Sequence, residues 1–142
     1  MQCVTFVHCL TLFKVLRASC VMTYYILVKS DSTIVSDYNG EGLTNKQKAV
    51  GGLIEPVVLE EGMTAYINEE GLLQSLDVNP LATIHFRNAN VFDRYLFENQ
   101  EVLGNVLFRC ESEQQYKLLE ASLKLGKQVS ILEQSMEDSD AR

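Results

Sequence analysis

The chain contains no tryptophan, two prolines, two histidines and four cysteines in 142 residues. Three of the cysteines, Cys3, Cys9 and Cys20, fall within the first 21 residues, so only Cys110 belongs to the remainder. One cysteine cannot close an internal disulfide, and no C-x-x-C or paired-histidine spacing offers a zinc site, so neither a metal nor a cofactor is expected. A reducing compartment, the cytoplasm, is the expected setting. Phosphate-loop and dinucleotide fingerprints are also missing, since Gly51-Gly52 follows a helical pattern instead of preceding one. Positive charge is scarce too. Twelve Lys and Arg against nineteen Asp and Glu give a net charge of −7, which repels a phosphate backbone.

What is present fits one ordinary domain: 46% hydrophobic and 22% charged residues are enough to build a single core at this length. The segment "MQCVTFVHCLTLFKVLRASCV" stands apart, because it holds Lys14 and Arg17 but no acidic residue. These two charges interrupt its apolar run short of the roughly twenty residues a membrane span needs. They also follow the run, where a secretory signal would have them first. Residues 1–21 therefore read as an extension translated from an upstream start, with Met22 opening a single α+β domain over 22–132. Without Lys14 and Arg17, ten basic residues face nineteen acidic ones. Residues 133–142 carry too little apolar area to offset ordering and read as a disordered tail.

Tyr24–Val28 and the stretch around "TIVSDY" read as a hairpin about Lys29–Ser32. Thr44 and Gln47 have capping-box spacing before a short helix that ends at Gly51-Gly52. "LIEPVVLEEGMTAYINEEGLLQSL" divides at Glu61-Gly62 and again at Asn68–Gly71 into a three-strand meander, with Pro56 at an edge or bulge. The second division reads as a turn, with Asn68 and Gly71 supplying the conformations it needs. Glu69 and Glu70 lie at that wet tip, where no environment would separate their pKa values for acid-base work. Pro80–Thr83 reads as a single helical turn, and His85 as a strand residue beside the core. "EVLGNVLFR" is a strand with a bulge or close approach at Gly104. Ser112 and Gln115 open the clearest helix, with Tyr116, Leu119 and Leu123 on one face and Gly126 as its stop.

These elements predict an α+β fold: a mainly antiparallel β-sheet with one long C-terminal helix and one short helix. Unpaired sheet edges would favour a homo-oligomer. The best ligand-binding candidates lie in and before "HFRNANVFDRYLF", where Arg87 and Arg94 alternate with Phe86, Phe92, Tyr95 and Phe97. Guanidinium groups grip phosphates and aromatic rings stack on bases. Asn79 and Thr83 would add hydrogen bonds from the neighbouring turn. Against this stands a plainer reading in which the aromatics are core and the arginines are solvated.

Gly51-Gly52 with Ile54-Glu55, Asn68-Glu69-Glu70-Gly71, Asn79 with Ala82-Thr83, and Gly104-Asn105-Val106 together resemble a family of uncharacterised small proteins from phages, prophages and mobile elements. The resemblance spans about residues 45–108. Asn105 stands where the pattern favours aspartate, which weakens a catalytic carboxylate there. The resemblance implies a non-enzymatic accessory protein in the host bacterial cytoplasm, binding a host protein or an immune signalling nucleotide to counter defence. Two alternatives remain beside it: an acidic protein-binding inhibitor or DNA mimic, and a small enzyme acting on a nucleotide.

Overall fold

The computed structural model describes residues 22–94 and 100–140. The extension at 1–21 and the aromatic candidates Tyr95 and Phe97 lie outside the described residues. The chain runs β1 (Tyr24–Val28), β2 (Ile34–Ser36), α1 (Gly42–Val50), β3 (Ile54–Glu60), β4 (Met63–Asn68), α2 (Pro80–Asn88), a 3-10 turn (Val91–Asp93), β5 (Val106–Cys110) and α3 (Glu113–Asp140). The strands form one sheet in the order β2-β1-β5-β4-β3, with every neighbouring pair antiparallel. This is the expected α+β class.

Alternation along the strands sends side chains to both faces, and both faces are covered. Ile26, Val28, Val57, Ala65 and Phe108 meet Leu81 and Phe86 of α2 and Leu119 and Leu123 of α3. On the other face Tyr25, Leu27 and Leu107 meet Ala49 and Val50 of α1. The short helix therefore forms a third layer.

Four expectations change. The meander has two strands, not three, because β5 and β3 occupy both edges of β4 and leave no place for residues 72–76 to pair. Residues 71–75 form turns. The proline turn is a nine-residue helix that carries His85, so this histidine is helical. Asn79 caps it and Pro80 sits in its first turn, where the missing N–H costs nothing. Helix α1 begins at Gly42 after Glu41, which makes no side-chain cap, so Thr44 lies inside the helix and forms no capping box. Helix α3 runs through Gly126, so "VSIL" adds no strand and residues 133–140 continue the helix.

Other signals hold. Gly51 ends α1 at φ +82°, with the Gly51 and Gly52 N–H groups both donating to Gln47 O. Ser112 Oγ accepts from Gln115 N at 3.1 Å at the start of α3. The Gln115 amide, instead of returning to the cap, donates to Glu61 O at 2.9 Å.

Candidate binding groove and the motif network

The residues singled out by sequence divide into two groups in space. Asn68, Asn79, Thr83, Gly104 and Asn105 gather at one end of the sheet, where helix ends meet strand ends. Asn79 is fully buried, and its Oδ1 accepts from Ala82 N at 3.1 Å. Its Nδ2 donates to Val28 O and to Gly104 O, each at 2.9 Å. Thr83 Oγ1 donates to Asn79 O at 2.7 Å and accepts from Val102 N at 3.1 Å. These two candidates for ligand contact are thus occupied by the fold itself, because each buried polar group requires a partner and has found one inside.

Asn68 follows the same rule. Its Nδ2 donates to Val50 O at 3.2 Å, and its Oδ1 accepts from Glu70 N at 2.8 Å in an Asx turn. Gly52 leaves room for this side chain: a Cβ there would stand 2.9 Å from Asn68 Nδ2. Gly71 is not among the positive-φ residues, contrary to expectation; a Cβ there would meet Leu103 Cβ at 3.3 Å, so close approach explains it. Asn105 Oδ1 accepts from Ser30 N at 3.1 Å, joining β5 to the β1–β2 turn. The motif blocks share a mechanical role, which is to tie together the ends of α1, β1 and β4 and the starts of α2 and β5.

The two arginine candidates separate. Arg94 Nη2 donates to Val58 O at 3.0 Å on the outer strand β3, an edge role that spends its fork on backbone carbonyls. Arg87 is exposed on α2. Neither lines a cavity described below.

Open space lies instead between α2 and α3. One cavity of about 250 Å³ is bordered by Glu60, Met63, His85, Asn88, Gln115 and Leu119, among others. A second of about 330 Å³ continues along α3 past Ile84, Leu125, Gly126 and Val129. His85, Asn88 and Ser122 border both, making one groove. Helical spacing aligns these groups: His85 and Asn88 are three apart on α2, and Gln115, Ser122 and Val129 recur at sevens on α3.

Burial lowers the His85 pKa below its ordinary 6.5, so its imidazole is neutral near pH 7 and offers one donor and one acceptor. Its ring stands edge-on to Phe108 at 6.1 Å. Beneath the groove, Cys110 is wholly buried, and burial first, then Glu60, pushes its thiol up to about 11. A thiol held protonated is a poor nucleophile. No Lys or Arg borders either cavity among the described residues. Sequence reasoning missed the groove because it placed His85 on a strand, whereas the Asn79-Pro80 start signal could have revealed its helix.

Among the described residues no group of His, Cys, Asp and Glu is arranged to hold a metal ion, and no helix is long and apolar enough to cross a membrane. The model of a family described as a domain of unknown function, DUF3846, matches residues 22–124. No curated protein and no solved structure matches the chain.

Proposed function

We propose that this chain, which belongs to the DUF3846 family, acts by binding, and that its partner is a protein of the host cell of a phage or mobile element. The observation that carries the reading is the lining of the α2–α3 groove: apolar side chains with His85, Asn88, Gln115, Ser122 and Ser130 as neutral hydrogen-bonding groups, and a carboxylate in each cavity, Glu60 and Glu133. Such a lining suits an apolar side chain or short helix of another protein, with a few polar contacts fixing its orientation. A nucleotide brings phosphates, which call for cations that this groove does not supply. Sequestering a host factor in the bacterial cytoplasm would be the output, with no bond made or broken.

The test is a pull-down of the full chain from host lysate, with mass analysis of the protein and small-molecule fractions. A specific protein should be retained by the wild type and lost from Asn88→Trp, whose larger side chain fills the groove from an exposed helix end. Retention of a nucleotide by both proteins would replace this reading with nucleotide sequestration, and return of a chemically altered nucleotide would replace it with catalysis.

A further inference from the structure

The groove between α2 and α3 carries a carboxylate at each end. Glu60 stands beside Gln115 near the start of α3, and Glu133 lies beyond Val129 on the same helix. Gln115 and Glu133 are about 18 positions apart, so at 1.5 Å per residue the groove is about 27 Å long. Between its ends Leu118, Leu125 and Val129 are exposed, with Ile84 of α2 exposed opposite them. The middle is apolar and the ends are acidic.

The acids of α3 fall into two classes. Glu113 and Glu120 each have a lysine four residues on, Lys117 at 3.3 Å and Lys124 at 3.5 Å. Glu133 has none, because residues 128–138 carry Glu133, Glu137 and Asp138 but no lysine or arginine. Glu133 and Glu137 form a like-charge pair at i,i+4, and acids in the last turns add to the negative end of the helix dipole. Both arrangements oppose the helix taken alone. At the other end Glu60 accepts from the Gln115 amide at 3.4 Å, while Arg94 donates to the Val58 and Leu59 carbonyls and makes no ion pair with it. Among the described residues neither Glu60 nor Glu133 has an ion-pair partner.

An occupant with cationic side chains near both ends would meet both carboxylates and relieve the crowding of charge around Glu133. Its centre must be apolar. One face of an α-helix offers this pattern, with anchors at i, i+3, i+4 and i+7, and five turns of helix span about 27 Å. The net charge of −7 would draw such a segment in from a distance.

We infer that the groove takes a basic amphipathic helix of another protein, about five turns long, with lysine or arginine toward each end to meet Glu60 and Glu133. This rests on the groove being the protein-binding surface proposed above. Three labelled peptides of about 18 residues, sharing one leucine stripe and carrying lysine, glutamine or glutamate at both ends, are titrated with the full chain and followed by fluorescence anisotropy. The lysine peptide should bind at least tenfold more tightly than the glutamate peptide, and the difference should shrink as salt rises. Glu60→Gln combined with Glu133→Gln should weaken the lysine peptide about fivefold and leave the glutamine peptide unchanged. Glu55→Gln combined with Glu69→Gln, the same change of charge at exposed positions off the groove, should leave both unchanged. Circular dichroism of the variants establishes that they fold. No binding of the lysine peptide, equal binding of the lysine and glutamate peptides, or a lysine peptide indifferent to the loss of Glu60 and Glu133 would each overturn the inference. If the lysine peptide fails while a host protein is retained by the wild type and lost from Asn88→Trp, the groove remains a binding surface and only the basic helix is removed. If both fail, the parent reading falls with it.

Discussion

Replacing Asn79 with alanine tests the role assigned to the motif network. Three hydrogen bonds vanish at a fully buried site: the α2 cap to Ala82 N, and the two donations to Val28 O and Gly104 O. Loss of a helix cap costs about 1 kcal/mol, and each buried carbonyl left without its donor costs about 1 to 3 kcal/mol. Partial relaxation recovers some of this, so a loss of about 3 to 5 kcal/mol is expected, a large part of the stability of an ordinary domain. Urea unfolding followed by circular dichroism measures it. Asn79→Ser separates the contributions, since its hydroxyl retains capping ability but cannot reach both carbonyls; it should still lose about 2 kcal/mol or more. If Asn79→Ala loses only about 1 kcal/mol, as at an exposed cap, the clamp between β1, β5 and α2 is not what the side chain does, and a ligand role returns.

Three further outcomes are expected. Burial lowers the folded-state pKa of His85, so the unfolded chain binds the proton more readily; this component of stability is intact above pH 6.5 and declines as pH falls below it. Urea midpoints from pH 7.5 to 5 should show the decline, and His85→Gln should flatten it. Cys110 should resist iodoacetamide at pH 8 in the native protein and react in urea, read by peptide mass mapping, because its thiol is buried and pushed up to about 11. Gly104→Ala should lower stability by about 1 to 2 kcal/mol from its left-handed backbone, and by more from contact: its φ is +80°, and a Cβ would stand 2.7 Å from Leu76 Cδ1. An unchanged urea midpoint would contradict that strain.

How far local signals reach is visible in particular elements. The β1–β2 hairpin, the Glu61-Gly62 reversal, the Gly51 stop and the Ser112 start rest on turn or cap chemistry within a few residues, and each was legible. "PLATIHFRN" was misjudged because Thr83 and Ile84 favour strands while the helix is decided at its first residues, by Asn79 and Pro80. Gly126 was misjudged as a stop because glycine opposes a helix by only about 1 kcal/mol, which the flanking turns outweigh. The candidate site was scarcely legible: Asn79 and Thr83 carry polar atoms suited to a ligand, and nothing local reveals that Val28, Val102 and Gly104 already satisfy them.

Sequence by itself determined the α+β class, most strand positions, the acidic balance and the single cysteine after residue 21, because composition, alternation and capping act through neighbours along the chain. Tertiary structure alone decided that β4 has no free edge for a third meander strand, that α1 takes the face opposite α2 and α3, and that Arg94 faces a strand edge. It also decided that a groove opens beside His85. These depend on which distant segments compete for the same hydrogen bonds and the same apolar surface, and that competition exists only once the chain has folded.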